Sequence, residues 1–369
     1  MKKRNQFLNA VKIPLLAILC SLIVGGIIIA VTGSNPFKAY YALLQGSGLA
    51  PKTSYANHKS MLTDFFSFVN YFTPMIFAAL AVAVALRAGL FNIGVSGQML
   101  AAGFTATVIV GYSDLNAFLA KPLVLLVGML VGGIAGALIG FLKYRFNINE
   151  VVSSIMLNYI FQYTISFFIN TYFVDPVSRQ SREISGAARL TLMDTAIGNQ
   201  KIDIPLGIIF AILAVILVWF LFEKTKLGYE LKAVGYSGSA ARYAGIQVGK
   251  CMVTSMTFSG ILAGLAGVTY YLGYMGSIQP KVLLSTGFDA IAVSLLGNNN
   301  PFGIIFSTVL ISLIGKGSTY MKSMANVDSE IASVITGIIL LFSACNVYIK
   351  WKLEKQKREK NMKSGKEEK

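Results

Sequence analysis

Charge is scarce in this 369-residue chain: Asp, Glu, Lys and Arg make up 13% of it, against roughly 25% in soluble globular domains. Hydrophobic residues make up 55% and the mean hydropathy is +0.64, so a water-soluble body of this size would lack the polar surface to cover itself. Histidine is nearly missing. His58 stands alone in a polar loop, which excludes a histidine-based metal site or a His-dependent triad within the chain. Cysteine is limited to Cys20, Cys251 and Cys345, each single within an apolar run, without the paired spacing of a disulfide framework or zinc site; all three read as helix packing. A phosphate-binding loop is also lacking, because Gly315-Lys316-Gly317-Ser318 has neither the glycine spacing nor a hydroxyl residue directly after the lysine. No nucleophile, base and metal ligands cluster, so the chain does not read as an enzyme.

What the sequence does contain is a series of apolar runs, several of which reach the ~20 residues a bilayer crossing needs. The first, 13–32, follows Met1-Lys2-Lys3-Arg4; it is too long for a signal peptide and lacks a small-residue cleavage site. Further spans are expected near 71–87, 91–111, 122–142, 150–170, 204–222, 251–273, 286–297, 301–321 and 330–349. That makes an all-α membrane protein of about ten helices, with a single transmembrane domain over 1–349 and a basic tail over 350–369. The run 286–297 is short, and Pro280, Gly287, Gly297 and Pro301 around it predict a broken or re-entrant element. Gly128, Gly132, Gly136 and Gly140 recur every four residues and line one helix face; this predicts close packing against a neighbour, with a moving contact as the alternative. Lys316 falls toward the outer end of its run, where a lysine snorkels.

The net charge of +16 does not point to nucleic acid, since the basic residues gather at helix ends and in the tail. They fit membrane orientation better: with both termini cytoplasmic, 21 of the 32 Lys and Arg residues fall inside. The long connection 33–70 is then outside and 223–250 inside. If the spans form two halves of five, these connections occupy matching places with opposite sidedness, the parity of an inverted repeat.

Within 223–250, Ser237 or Ser239 is suited to cap a short helix through Ala240-Ala241-Arg242-Tyr243-Ala244, and Gly245 to end it. Such a small-residue knob suits docking into a groove on another protein; an ordinary charged loop is the alternative. Elsewhere, Asn92 and Gln98 sit among Gly89, Gly94 and Gly97, and either face a polar path or satisfy a helix break. Asp289 lies in an apolar run, where it either lines a path or caps the short helix that begins at Gly287.

The stretch Lys224 to Lys250 resembles the coupling loop of permeases in the branched-chain amino acid, simple sugar and nucleoside group of ATP-binding-cassette importers, with Ser237-Gly238 where the family often has Asn-Pro. Leu86-Arg87-Ala88-Gly89-Leu90-Phe91-Asn92-Ile93-Gly94-Val95-Ser96-Gly97-Gln98 resembles that family's Phe-Asn-Ile-Gly-x-Glu-Gly-Gln signature, with serine at 96 in place of glutamate. Gly287 to Gly297, followed by Asn299-Asn300-Pro301-Phe302-Gly303, resembles its later block. The wording is more similar to the nucleoside and simple-sugar branch than to the amino acid branch.

The resemblance implies a permease in the bacterial inner membrane whose Glu230, Gly235, Ser237, Ala240, Ala241, Arg242 and Gly245 meet an ATPase subunit, with Ala240, Ala241 and Gly245 seated in its groove. Asn92, Gln98, Asp289 and Asn298 are the candidate path residues. The implied partners are that ATPase, which uses ATP and Mg while this chain binds no cofactor, a second and different permease chain, and an extracytoplasmic substrate-binding protein. Nucleosides are the implied solute, with ribose, another simple sugar or branched-chain amino acids as alternatives. An ion-coupled secondary transporter is the rival class, but beyond Asp289 and Glu150 there are few carboxylates to couple an ion.

Overall fold

The computed structural model describes residues 19–55, 59–197 and 200–344. The expected start of the first run at 13–18, His58, Cys345 and the tail 350–369 lie outside the described residues. The chain divides into two compact units, one of 1–43 with 317–369 and one of 44–316. In the first, α1 (Leu19–Val31) and α2 (Pro36–Gly46) meet at a bend of 115°. Asn35 makes that bend, its Oδ1 accepting from the N–H groups of Phe37 and Lys38 at 3.0 and 3.3 Å, while Pro36 supplies the preset first-turn φ.

The second unit is built around α3 (Met61–Arg87), which is buried almost continuously from Thr73 to Ala85. A helix apolar on every side belongs inside a bundle. Its alanines let neighbours approach closely. The next elements are α4 (Val95–Ala106), α5 (Ala117–Phe146) and α6 (Glu150–Phe168). Asn116 and Asn149 cap α5 and α6 by accepting from Phe118 and Val151 N–H. A two-stranded antiparallel hairpin follows, β1 (Thr191–Ile197) and β2 (Gln200–Pro205), pairing Thr191 with Pro205. This hairpin is a local exception within an otherwise helical chain; it occupies a polar stretch between apolar runs, where the sequence carries no helical period. Then come α7 (Gly207–Lys224), α8 (Lys226–Tyr236), α9 (Gly238–Tyr243), α10 (Val248–Val268), α11 (Thr286–Leu296), α12 (Pro301–Ala325) and α13 (Ser329–Ala344), the last lying in the first unit.

The four-residue glycine series of α5 lies against α10. A Cβ at Gly132 would sit 2.7 Å from Gly264 Cα, one at Gly136 2.9 Å from Gly260 Cα, and one at Gly140 2.9 Å from Val253 Cα. The two backbones therefore touch over several turns, which only glycine permits. α4, α6 and α10 each run on into a π-helical turn, at Thr107–Gly111, Ile169–Phe173 and Thr269–Met275.

Among the described residues, six helices are long and apolar enough to cross a membrane, or seven if the bent pair α1 and α2 is one span. The others fall short for a physical reason. α11 has 11 residues, about 17 Å at 1.5 Å per residue, roughly half the ~30 Å hydrocarbon core.

Candidate functional site

The segment 223–250 folds into two short helices rather than one. Thr225 caps α8, its Oγ1 accepting from Gly228 N–H at 3.1 Å, and Ser237 both ends α8 and caps α9, accepting from Ala240 N–H at 3.3 Å. Gly245 takes φ +82, with its N–H on Arg242 O and the Ile246 N–H on Ala241 O, both at 3.0 Å. This is the paired closure of a Schellman motif. Ser237, rather than Ser239, is thus the cap, and Gly245 is the stop.

The docking face differs from expectation. Ala241 is only 3% exposed, so it is not on the surface that α9 offers. Ala240, Arg242, Tyr243, Ala244 and Gly245 are exposed, as is Tyr236. Glu230 is engaged within the chain, paired with Lys226 at 3.6 Å and 4.0 Å from the Cys251 thiol, so it braces α8 against α10. Gly235 rests on backbone as well: a Cβ there would strike Arg87 O, and Gly89, at φ +73, lies against it in turn.

That contact brings the family-like segments together. Arg87 Nε donates to Asn299 O at 3.2 Å, with its guanidinium 5.8 Å from the Phe222 ring centroid. The end of α3, the segment 223–250 and the turn between α11 and α12 therefore share one junction. Asn298 is exposed in that turn at φ 55, beside Asn299 at φ 51. Asparagine tolerates this left-handed geometry, so its place in the turn is accounted for by backbone shape.

Asn92 and Gln98 do not line an open path. They are 0% and 1% exposed, and Asn92 Nδ2 donates to Gln98 Oε1 at 3.0 Å and Ser259 Oγ at 2.8 Å, while its Oδ1 accepts from Gly94 N–H at 2.9 Å. Ser259 in turn donates to Ala81 O at 2.7 Å. On the other side, Asn158 accepts from Gly97 N–H and donates to Ile93 O. These amides supply the bonds that an extended stretch, 88–94, loses by leaving the helix.

Ser96, at 0% exposed, fills the glutamate position of the family pattern. Its hydroxyl donates to Leu284 O at 2.8 Å, and Gly287 packs directly on it. The starts of α4 and α11 meet here and run apart. Ser185 N–H, beyond the far end of α4, binds Gly111 O, and Ile184 N–H binds Gly276 O; α11 instead ends beside Arg87. Asp289 lies in the first turn of α11, half-buried, with its N–H on Ser285 O at 2.9 Å, a position the helix dipole favours. α11 packs along α3, the helix that carries Tyr71. Lys316 does not snorkel: its Nζ donates to Tyr274 OH at 3.1 Å and lies 5.1 and 5.8 Å from the Tyr274 and Tyr71 ring centroids. Sequence reasoning missed Tyr71, Tyr274, Asn158 and Ser259. Their partners lie far along the chain, as with Ser259 and Asn92, 167 positions apart.

The family model for the branched-chain amino acid transport system / permease component matches residues 65–344. The chain is 35% identical to a nucleoside permease protein of an ABC transporter in Lactococcus lactis subsp. cremoris, over 96% of both chains. It is also 35% identical to a guanosine ABC transporter permease protein of Bacillus subtilis, over 95% of this chain and 98% of the relative. A second nucleoside ABC transporter permease of the same Lactococcus is 26% identical over 66% of this chain and 78% of its own length. No solved structure matches the chain.

Proposed function

The chain belongs to this permease family, and we propose that it is one membrane subunit of an ATP-driven importer that carries nucleosides. The observation that carries the solute is the 35% identity, held over nearly the whole length, to relatives named for nucleoside and guanosine transport. In this reading a separate ATPase subunit supplies ATP and Mg chemistry and docks on the exposed face of α9, Ala240, Tyr243 and Ala244. An extracytoplasmic binding protein delivers the solute. A second, different permease completes the path; that one Lactococcus has two permeases similar to this chain supports such a pair.

The finer topology is ten spans in the bacterial inner membrane with both termini and 223–250 inside, arranged as two inverted halves. Its support is that α3 and α10 each follow a connection carrying an 11-residue helix, α2 and α8, and each precede a short helix. A single-cysteine series read by impermeant maleimide checks it: Tyr243→Cys should label only in opened or inverted vesicles, and labelling of intact cells overturns both topology and dock. For the solute, proteoliposomes holding the whole importer should take up labelled guanosine when ATP is enclosed with the ATPase, and excess ribose or leucine should not compete. Uptake of ribose or leucine without guanosine overturns the reading.

A further inference from the structure

In the second unit, three tyrosines and an amine come together beside α3, the helix against which α11 packs. Tyr71 of α3 and Tyr274 of the π-helical turn after α10 have centroids 5.4 Å apart at 72°; Tyr270 and Tyr274 are 6.0 Å apart at 50°. The π-helical turn changes which side chains project together, a device often found at functional sites. Tyr271 is 3% exposed and packs on Gly103. Tyr270 and Tyr274 are left half-buried, as are Tyr71, Lys316 and Asp289.

A half-exposed ammonium and carboxylate among apolar helices do not face hydrocarbon; they face water or protein. Irregular backbone at membrane depth, as before α11, is likewise tolerated where it lines a wet cavity or is wrapped in protein. A further observation points to the same face. Thr308 and Ser312 lie two turns and one turn before Lys316 on the same side of α12, at 0% and 1% exposed, and neither hydroxyl has a hydrogen-bond partner among the described residues. Buried hydroxyls are normally satisfied, and these two continue a polar stripe that ends at Lys316.

Resting on the nucleoside reading, we infer that Tyr71, Tyr270 and Tyr274 form a stacking platform for the base of the solute. Lys316 offers donors to base or ribose oxygens, and Asp289 accepts from ribose hydroxyls or base N–H groups. The tilted rings leave π-faces that a planar heterocycle can cover, and stacking tolerates both purines and pyrimidines. No bond is made or broken; the platform lowers the barrier to passage by replacing water on the base.

The test uses the complete importer in proteoliposomes. Tyr71→Leu and Tyr274→Leu should each lower guanosine uptake about tenfold, while Tyr71→Phe and Tyr274→Phe stay within about twofold, and stimulation of ATP hydrolysis by the binding protein persists in all four. In the wild-type importer, 8-azidoguanosine with light should label the peptide holding Tyr270 and Tyr274, and guanosine but not ribose should prevent it. Guanosine uptake unchanged by the leucine variants, or a photolabel confined to other peptides, overturns the platform while leaving the nucleoside reading intact. Wild-type vesicles that import ribose and no guanosine overturn that reading, and the platform with it.

Discussion

The two places where a long helix gives way to a short one are built alike and held differently. α3 and α10 each lead to a glycine in left-handed conformation, Gly89 at φ +73 and Gly276 at φ +86, and each is followed by an irregular stretch and a short helix with a hydroxyl residue and glycine in its first turn, Ser96-Gly97 or Thr286-Gly287. The first stretch is locked. Asn92, Gln98, Asn158 and Ser259 satisfy one another and the freed backbone in full burial or close to it. The second is held at more exposed points: Ile278 exchanges two bonds with Ser181, Ser277 bonds Gln180, Lys281 N–H donates to Ser166 Oγ, Lys281 O accepts from Gln162 Nε2, and Leu284 O accepts from Ser96, while Lys281, Val282 and Ser285 are exposed. The same backbone interruption thus serves once as a fixed post and once as an open edge, and the open edge is the one beside Asp289.

The largest expected effect tests the post. Asn92→Leu leaves Gln98, Ser259 and the Gly94 N–H short of partners, and at about 1–3 kcal/mol for each unsatisfied buried group the loss should reach at least about 3 kcal/mol in detergent unfolding. Ser285→Ala at the open edge should change stability by less than about 0.5 kcal/mol. Equal losses at the two sites would remove the contrast.

Next in size are the two glycines. A Cβ at Gly97 would lie 2.7 Å from Asn158 Cα, and one at Gly287 2.6 Å from Ser96 N. Overpacking predicts about 2 kcal/mol for Gly97→Ala. A clearly smaller loss for Gly287→Ala would show that the second stretch yields where the first cannot.

A transport readout sharpens the contrast at the docking end. Ala240→Glu, on the exposed face of α9, should leave unfolding unchanged and cut ATP-driven uptake about tenfold, equivalent to about 1.4 kcal/mol. Ala241→Glu should act differently: burying an unpaired carboxylate lowers stability and protein yield first. Smallest of all, Lys281→Gly relieves a left-handed lysine at φ 59. The relief of about 1 kcal/mol is largely offset by the freedom glycine gains when unfolded, leaving a gain of no more than about 0.5 kcal/mol in the same unfolding measurement.

Local signals made much of this legible. The four-residue glycine period announced a close contact on one face of α5, though not that α10 makes it, and Ser237 and Gly245 carried cap chemistry that needs only neighbouring residues. Asp289 within an apolar run marked the short helix. What escaped was set by distant partners: no local pattern links Asn92 to Ser259, or Tyr71 to Tyr274 and Lys316. Ala241 escaped for another reason. A six-residue helix with alanine at both 240 and 241 has no amphipathic stripe, so the local sequence does not say which alanine turns inward.

The glycine contact between α5 and α10 has a mechanical meaning. Together with its π-helical turn, α10 runs over 28 residues from Val248 to Met275, about 42 Å at 1.5 Å per residue, with α9 packed at one end and the tyrosines at the other. A lone rod of that length bends. Splinted to a second rod through backbone contacts at Gly132, Gly136 and Gly140, with little side-chain volume between them to compress, it resists bending, so a displacement at the α9 end is carried lengthwise to Tyr270 and Tyr274 rather than absorbed along the way.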